Sequence, residues 1–255
     1  LCGSSDKVLG IKAVHMVSAF ASENGLCLGQ TTCDEKSNEI TAIPVLLDLL
    51  SIKDCTVTID AMGCQSKIAE KIIEKEAGYI LAVKENQKEL HEQVVKMFEI
   101  KKPQSTDIDI DSGHGRVETR KCEVVSDLAF FDVEKEWTGL KTVVRIESER
   151  FIQVENKTQN EIRYYISSLD IDARTMNNRI RKHWRIENNL HWMLDVNFGE
   201  DSSSRRIGDS AKNFNLVSKI AMSLLIKENS EKNSMAIKRY KAALNPDYRE
   251  KVLKI

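Results

Sequence analysis

Thr56-Val-Thr-Ile-Asp60 and, nineteen residues on by number, Tyr79-Ile-Leu-Ala-Val83 bracket the stretch 56–83 that decides the fold. Each is a short apolar run of the kind that forms a buried strand, and the first ends on an acid. Between them, Ser66 to Glu76 spaces its apolar residues as a helix does. Upstream, Ala13-Val-His-Met-Val-Ser-Ala-Phe20 and Leu26 to Thr32 read as two strands around the turn Ser22-Glu-Asn-Gly25. Ser37-Asn-Glu-Ile40 then opens a helix with Ile40, Ile43, Leu46, Leu47 and Leu50 at helical spacing. With the helical Gln87–Lys101 beyond the last strand, the order predicts a mixed sheet with helices on its faces.

Pro103 marks the end of the Gln87–Lys101 helix. Residues 104–170 change character: Gly113-His-Gly-Arg116 is a turn, and Val117–Val125, Thr142–Phe151 and Glu161–Ser168 are strand-like. A helix is predicted over Arg174–Leu194 and an amphipathic one over 210–228. The segment from Lys238 is charged, and Pro246 breaks it.

Composition excludes several classes. The 38 basic and 39 acidic side chains cancel, so a polyanionic partner has to be sought locally. Residues 174–192 supply such a place, with five Arg or Lys against one Glu. The six cysteines form no Cys-x-x-Cys pair, which argues against a zinc knuckle or a disulfide framework and for a reducing compartment. No apolar run reaches membrane-spanning length and no signal-peptide pattern opens the chain. The first residue is Leu1, so a fragment or processed form is expected.

Chemistry concentrates in Arg181-Lys-His-Trp-Arg-Ile-Glu-Asn-Asn-Leu-His-Trp-Met-Leu-Asp195. On a continuous helix His183, Glu187, His191 and Asp195 share one stripe, with Ile186, Leu190, Met193 and Leu194 beside it. Arg181, Arg185, Asn188 and Trp192 form a third, basic and aromatic face, suited to nucleic acid. A metal stripe of His183, Glu187 and His191 is one reading, although it lacks the His-Glu-x-x-His spacing of zinc proteases. The other reading pairs Glu187 with Asp60, whose strand-end position opens onto a cleft with Ala61 and Gly63 leaving room for a ligand. Two such acids with oxygen donors suit Mg²⁺ or Mn²⁺. Lys84, Asn86 and Gln87 are candidate donors to phosphate or base edges, while Asn86 could equally cap the next helix. His114, Arg116 and Arg120 could line a DNA groove, or Arg116 and Arg120 could be charges on a solvated edge strand.

Taken together, Lys36-Ser-Asn-Glu-Ile-Thr-Ala-Ile-Pro44, Thr58-Ile-Asp-Ala-Met-Gly-Cys-Gln65, Val83-Lys-Glu-Asn-Gln87, Gly113-His-Gly-Arg116 and His183-Trp-x-Ile-Glu-Asn-x-Leu-His-Trp192 resemble the H-repeat-associated, ISAs-type branch of the bacterial DDE transposases. Leu194-Asp-Val-x-Phe-Gly-Glu-Asp201 continues the match, which covers nearly the whole chain. The resemblance implies an RNase H-like α/β fold, with a mixed sheet flanked by helices and a β-rich insertion before the last catalytic helix. Its parts would be a catalytic core over 1–103, the insertion over 104–170, the rest of the core with the acidic helix over 171–228, and a charged tail over 229–255. The family's second acid falls on Asp60 and its third on Glu187, both metal ligands.

The implied activity is Mg²⁺- or Mn²⁺-dependent cleavage and strand transfer at insertion-sequence ends. The implied partners are double-stranded DNA at those ends and at the target, with room for a homodimer on DNA and no membrane. The implied place is the bacterial cytoplasm, at the nucleoid. The expected DNA contacts are Lys84, Asn86, Gln87, His114, Arg116, Arg120, Arg181, His183, Arg185, His191 and Trp192. His183 and Leu194 stand where the broader group carries Arg and Lys, so the contacts of those residues do not carry over. The family's first acid is expected about four residues upstream of Leu1, which predicts impaired catalysis by this chain. A non-catalytic DNA-binding remnant and a metal-binding structural protein are the alternatives.

Overall fold

A computed structural model describes residues 14–33, 39–113, 115–184, 186–205 and 207–254. Its elements in chain order begin with strands β1 (Met16–Ala21) and β2 (Leu26–Thr32) and helix α1 (Glu39–Asp48). Next come β3 (Thr56–Ile59), α2 (Ser66–Glu74), β4 (Gly78–Val83), α3 (Lys88–Ile100), β5 (Ser105–Gly113), β6 (Arg116–Val125), β7 (Thr142–Ile152), β8 (Lys157–Ser167) and α4 (Ala173–His183). A π-helical turn over Glu187–His191 leads into α5 (Trp192–Phe198), α6 (Ser210–Lys227), α7 (Met235–Leu244) and α8 (Pro246–Leu253). The chain forms two compact units, one of residues 51–183 and one of the residues up to 50 together with those from 184 onward.

Residues 51–183 build a six-stranded sheet in the order β3-β4-β8-β7-β6-β5. The β3/β4 pair is parallel and every other pair antiparallel, so the sheet is mixed, as the sequence predicts. The strand-rich segment after Pro103 supplies β5 to β8 and joins the same sheet as β3 and β4. Helix α4 lies on one face, where Ala173, Met176 and Ile180 pack on Ile80, Cys122, Val124, Val144, Ile146 and Tyr165. Strand alternation turns Tyr79 and Leu81 to the opposite side, and both are fully buried. Helices α2 and α3 bury Ile68, Ala69 and Ile72, and Leu90, Val94 and Met97.

Strand β5 is absent from the sequence expectation because its pattern is inverted. Asp107, Asp109 and Asp111 share the face that meets α4, whereas Ile108 and Ile110 are exposed. The acids are accommodated by partners on α4. Asn177 Nδ2 donates to Asp107 Oδ2 at 2.9 Å, and Arg181 forks across Asp109 and Asp111. Edge charges of this kind also hinder pairing with another chain.

The second unit is built on the antiparallel hairpin β1–β2, contacted by α1 and α6. Leu190, Leu194 and Met222 are fully buried at its centre, with Phe20, Cys27, Ile186, Met193, Phe198, Ile226 and Met235 packed around them. The predicted apolar stripe of Ile186, Leu190, Met193 and Leu194 therefore faces the core. The charged segment from Lys238 is helical. Pro246 opens α8 instead of ending structure, because a first-turn proline lacks only an N–H that has no helical partner there. Asn245 Oδ1 caps that helix by accepting from Tyr248 N–H at 3.0 Å. Lys238 and Tyr248 then tie α7 and α8 down, Lys238 donating to Leu225 O at 2.8 Å and Tyr248 Oη to Glu228 Oε2 at 2.7 Å.

Candidate active site

Asp60 follows the last residue of β3, and Lys84 follows the last residue of β4. Because β3 and β4 are parallel and in register from Thr56↔Gly78 to Ile59↔Leu81, both loops leave the same carboxyl edge. That edge is where open α/β sheets place ligands. The Asp60 side chain is exposed, and Gly63 N–H donates to its Oδ1 at 3.4 Å. The loop behind it is packed: Ala61, Gly63 and Cys64 are buried. Burial pushes the Cys64 thiol up to about 12.

Helix α4 meets β3 in steps. Arg179 Nη1 donates to Thr56 Oγ1 at 2.6 Å, and His183 Nδ1 shares a 3.0 Å hydrogen bond with Thr58 Oγ1. One helical turn separates Arg179 from His183, and two strand residues separate Thr56 from Thr58, so each turn advances one same-face position. Thr56 and Thr58 were not singled out from sequence, although their alternation with Val57 and Ile59 puts both hydroxyls on the face that carries Asp60.

The continuous helix expected over Arg174–Leu194 is divided. Helix α4 ends at His183, and Glu187 to His191 form a π turn in which Trp192 N–H bonds Glu187 O. An i→i+5 turn holds one more residue than an α turn and recurs at functional sites. The stripe of His183, Glu187, His191 and Asp195 assumed unbroken 3.6-residue periodicity, which the π turn removes. Among the described residues no group of three or more His, Cys, Asp or Glu is placed to hold a metal ion. Glu187 and His191 are exposed, as is Trp192 at 58%.

The other candidate contacts divide by what already holds them. Lys84 and Arg116 are exposed. Asn86 Nδ2 donates to Ala61 O at 2.7 Å, and Gln87 Nε2 donates to Cys64 O at 2.9 Å and to Gln65 Oε1 at 3.3 Å. Arg120 is only 6% exposed, and its Nε donates to Asn177 Oδ1 at 2.6 Å. Arg181 is half-exposed and ion-paired with Asp109 and Asp111. His114 and Arg185 lie outside the described residues.

A polar group inside the second unit escaped the sequence reading. Gly199 ends α5 at φ 62, a left-handed position that favours glycine, and sends Glu200 towards α6. Asn215 Nδ2 donates to Glu200 Oε1, and burial raises the Glu200 carboxyl above its ordinary pKa while Lys219 opposes the rise. Lys219 itself is buried and donates to Ser18 Oγ at 2.7 Å and Gln30 Oε1 at 2.9 Å. The available signal was that Asn215 and Lys219, four residues apart, interrupt the apolar stripe of α6 at positions flanked by Ala211 and Met222.

Asp60 and, in the other unit, Glu187 each present exposed carboxylate oxygens, the donor type that suits a hard divalent cation. Comparison with known proteins supplies the family. The model of the transposase DDE domain matches residues 3–224. The chain is 46% identical to "Putative transposase YncI" of Escherichia coli O157:H7, over 98% of this chain and 66% of that protein. It is 40% identical to "H repeat-associated putative transposase YhhI" of Escherichia coli K12, over 98% of this chain and 68% of that protein. "H repeat-associated putative transposase YbfD" of the same strain is 42% identical over about half of each chain. The chain thus spans about two thirds of the length of the first two relatives. Matched over most of its length by the domain and nearly end to end by the first two of these relatives, the chain belongs to the H-repeat-associated DDE transposase family.

Proposed function

We propose that Asp60 and Glu187 are two acids of a Mg²⁺- or Mn²⁺-dependent site that cleaves and joins DNA at insertion-sequence ends. The observation that carries this reading is the position of Asp60: an exposed carboxylate at the carboxyl edge of a parallel strand pair, on a loop whose Ala61, Gly63 and Cys64 are buried and hydrogen-bonded. Support for Glu187 comes from the family resemblance. The resemblance sets the family's third acid at Glu187, which is exposed at the start of the π turn. A bound metal would supply Lewis-acid polarisation of phosphodiester oxygens and of the attacking hydroxyl. Asp60 and Glu187 would hold it through carboxylate oxygens, and the basic side chains would offer cationic groups to the DNA backbone.

Metal binding tests the reading directly. Titrating the chain with Mn²⁺ and following free Mn²⁺ by electron paramagnetic resonance should show that Asp60→Asn and Glu187→Gln each weaken binding at least about tenfold. Affinity untouched by either substitution would reject the two-acid site. A Mg²⁺-dependent nicking assay on the element's ends, with Asp60→Asn as the control, then tests the chemistry.

DNA contact is carried in this proposal by the exposed Lys84, Arg116, His191 and Trp192, together with Arg181. No helix among the described residues is long and apolar enough to cross a membrane. Arg181 is partly neutralised by Asp109 and Asp111, and an exposed ion pair contributes only about 0–1 kcal/mol, so DNA can displace it. Asp109→Asn with Asp111→Asn should raise DNA affinity about two- to fivefold at low salt by freeing the guanidinium. Arg181→Ala should lower affinity and reduce the salt slope by about one. If both sets of variants bind as the parent does across a salt series, Arg181 is not a DNA contact.

A further inference from the structure

The neighbouring loop holds the turn that orients Asp60. Gly63 N–H points at Asp60 Oδ1, and Gly63 belongs to a tight turn in which Cys64 N–H bonds Ala61 O at 3.3 Å. Both ends of that turn are gripped from the β4–α3 loop: Asn86 Nδ2 on Ala61 O at 2.7 Å, and Gln87 Nε2 on Cys64 O at 2.9 Å. The second hydrogen of the Gln87 amide is directed to Gln65 Oε1 at 3.3 Å, so both of its hydrogens are used inside the protein. Ala61, Gly63 and Cys64 are buried, which leaves their backbone little water to substitute for these donors.

We propose that Asn86 and Gln87 are positioning residues for the Asp60 carboxylate, fixing the Ala61–Cys64 turn whose Gly63 N–H aims it, and are not readers of DNA. The proposal rests on the reading of Asp60 as a metal-binding acid. Side chains that orient a ligand through its own hydrogen bonds tune metal affinity without touching the metal. Parallel pairing of β3 and β4 makes the arrangement possible, because it brings the two strand-end loops together at one edge.

Asn86→Leu and Gln87→Met keep size and neutrality while removing the amide, and Asn86→Ser is a milder variant should the leucine fail to fold. Three measurements on the whole chain separate the outcomes: hydrogen exchange of residues 61–65 without metal, Mn²⁺ affinity by electron paramagnetic resonance, and metal-free DNA affinity across a salt series. The expected result is at least tenfold faster exchange at 61–65, five- to tenfold weaker Mn²⁺ binding, and DNA affinity within twofold of the parent. Tenfold weaker DNA binding with unchanged exchange would make the amides DNA contacts and overturn the proposal. Faster exchange with unaltered Mn²⁺ affinity, while Asp60→Asn abolishes binding, would also overturn it and leave the metal site standing. Unaltered Mn²⁺ affinity in Asp60→Asn would instead remove the metal reading itself.

Discussion

Leu190→Ala should destabilise the unit that carries Glu187 by about 2–5 kcal/mol, the range for truncating a fully buried leucine. Leu190 lies on the π turn three residues after Glu187, and it meets Leu194 and Met222 in a core ringed by Phe20, Ile186 and Phe198. Those contacts come from β1, α5 and α6 as well as from the turn, so the neighbouring backbone cannot close the gap without moving several elements. Leu190→Met keeps nearly the same volume and should cost less than about 1.5 kcal/mol. Chemical denaturation of both variants provides the comparison. A Leu190→Ala cost below 1 kcal/mol would mean that the turn is not anchored through its apolar side. The functional consequence is specific: as the anchor loosens, Mn²⁺ affinity should fall in the alanine variant and persist in the methionine variant.

Much of this was legible in the sequence, and the reasons differ by element. Strand β4 is an apolar run because both of its faces are covered, β3 alternates threonine with Val57 and Ile59, and the helix between them has ordinary periodicity. Asp60 could be placed at a strand end because the apolar run stops there. Strand β5 could not be read, since its acids face a helix that brings Asn177 and Arg181 to meet them, a compensation visible only in three dimensions. The π turn was equally hidden, because one extra residue in a turn leaves the apolar spacing of Leu190 and Leu194 unchanged. Asn86 and Gln87 carry the residue types of base-reading contacts. Their use as loop braces follows from the parallel register that puts their loop beside Ala61 and Cys64.

Lys219→Ala should cost about 2–4 kcal/mol, by leaving a cavity and two polar groups without their donor. Lys219 is 4% exposed on α6, and its ammonium reaches Ser18 and Gln30, which face each other across the β1–β2 hairpin. It therefore fastens α6 to both strands at one rung. Both hydrogen-bond partners are neutral, so burial pushes the lysine pKa down, with Cys27 and Glu200 opposing the shift. Lys219→Met fills the same space without a charge and should lie within about 1.5 kcal/mol of the parent, or be more stable. The pH dependence distinguishes this from simple packing. Below its folded pKa, Lys219 is protonated in both states, and the folded state bears the cost of a desolvated ammonium. As pH rises through that depressed value towards the ordinary 10.5, the folded state loses its proton first. The unfolded chain then binds more protons, so this residue's contribution to stability rises with pH. In denaturation series from neutral pH to about 10.5, the stability of the parent relative to Lys219→Met should therefore climb. A flat or falling difference would show that the ammonium is not held at the expense of its hydration, and that Lys219 acts through packing alone.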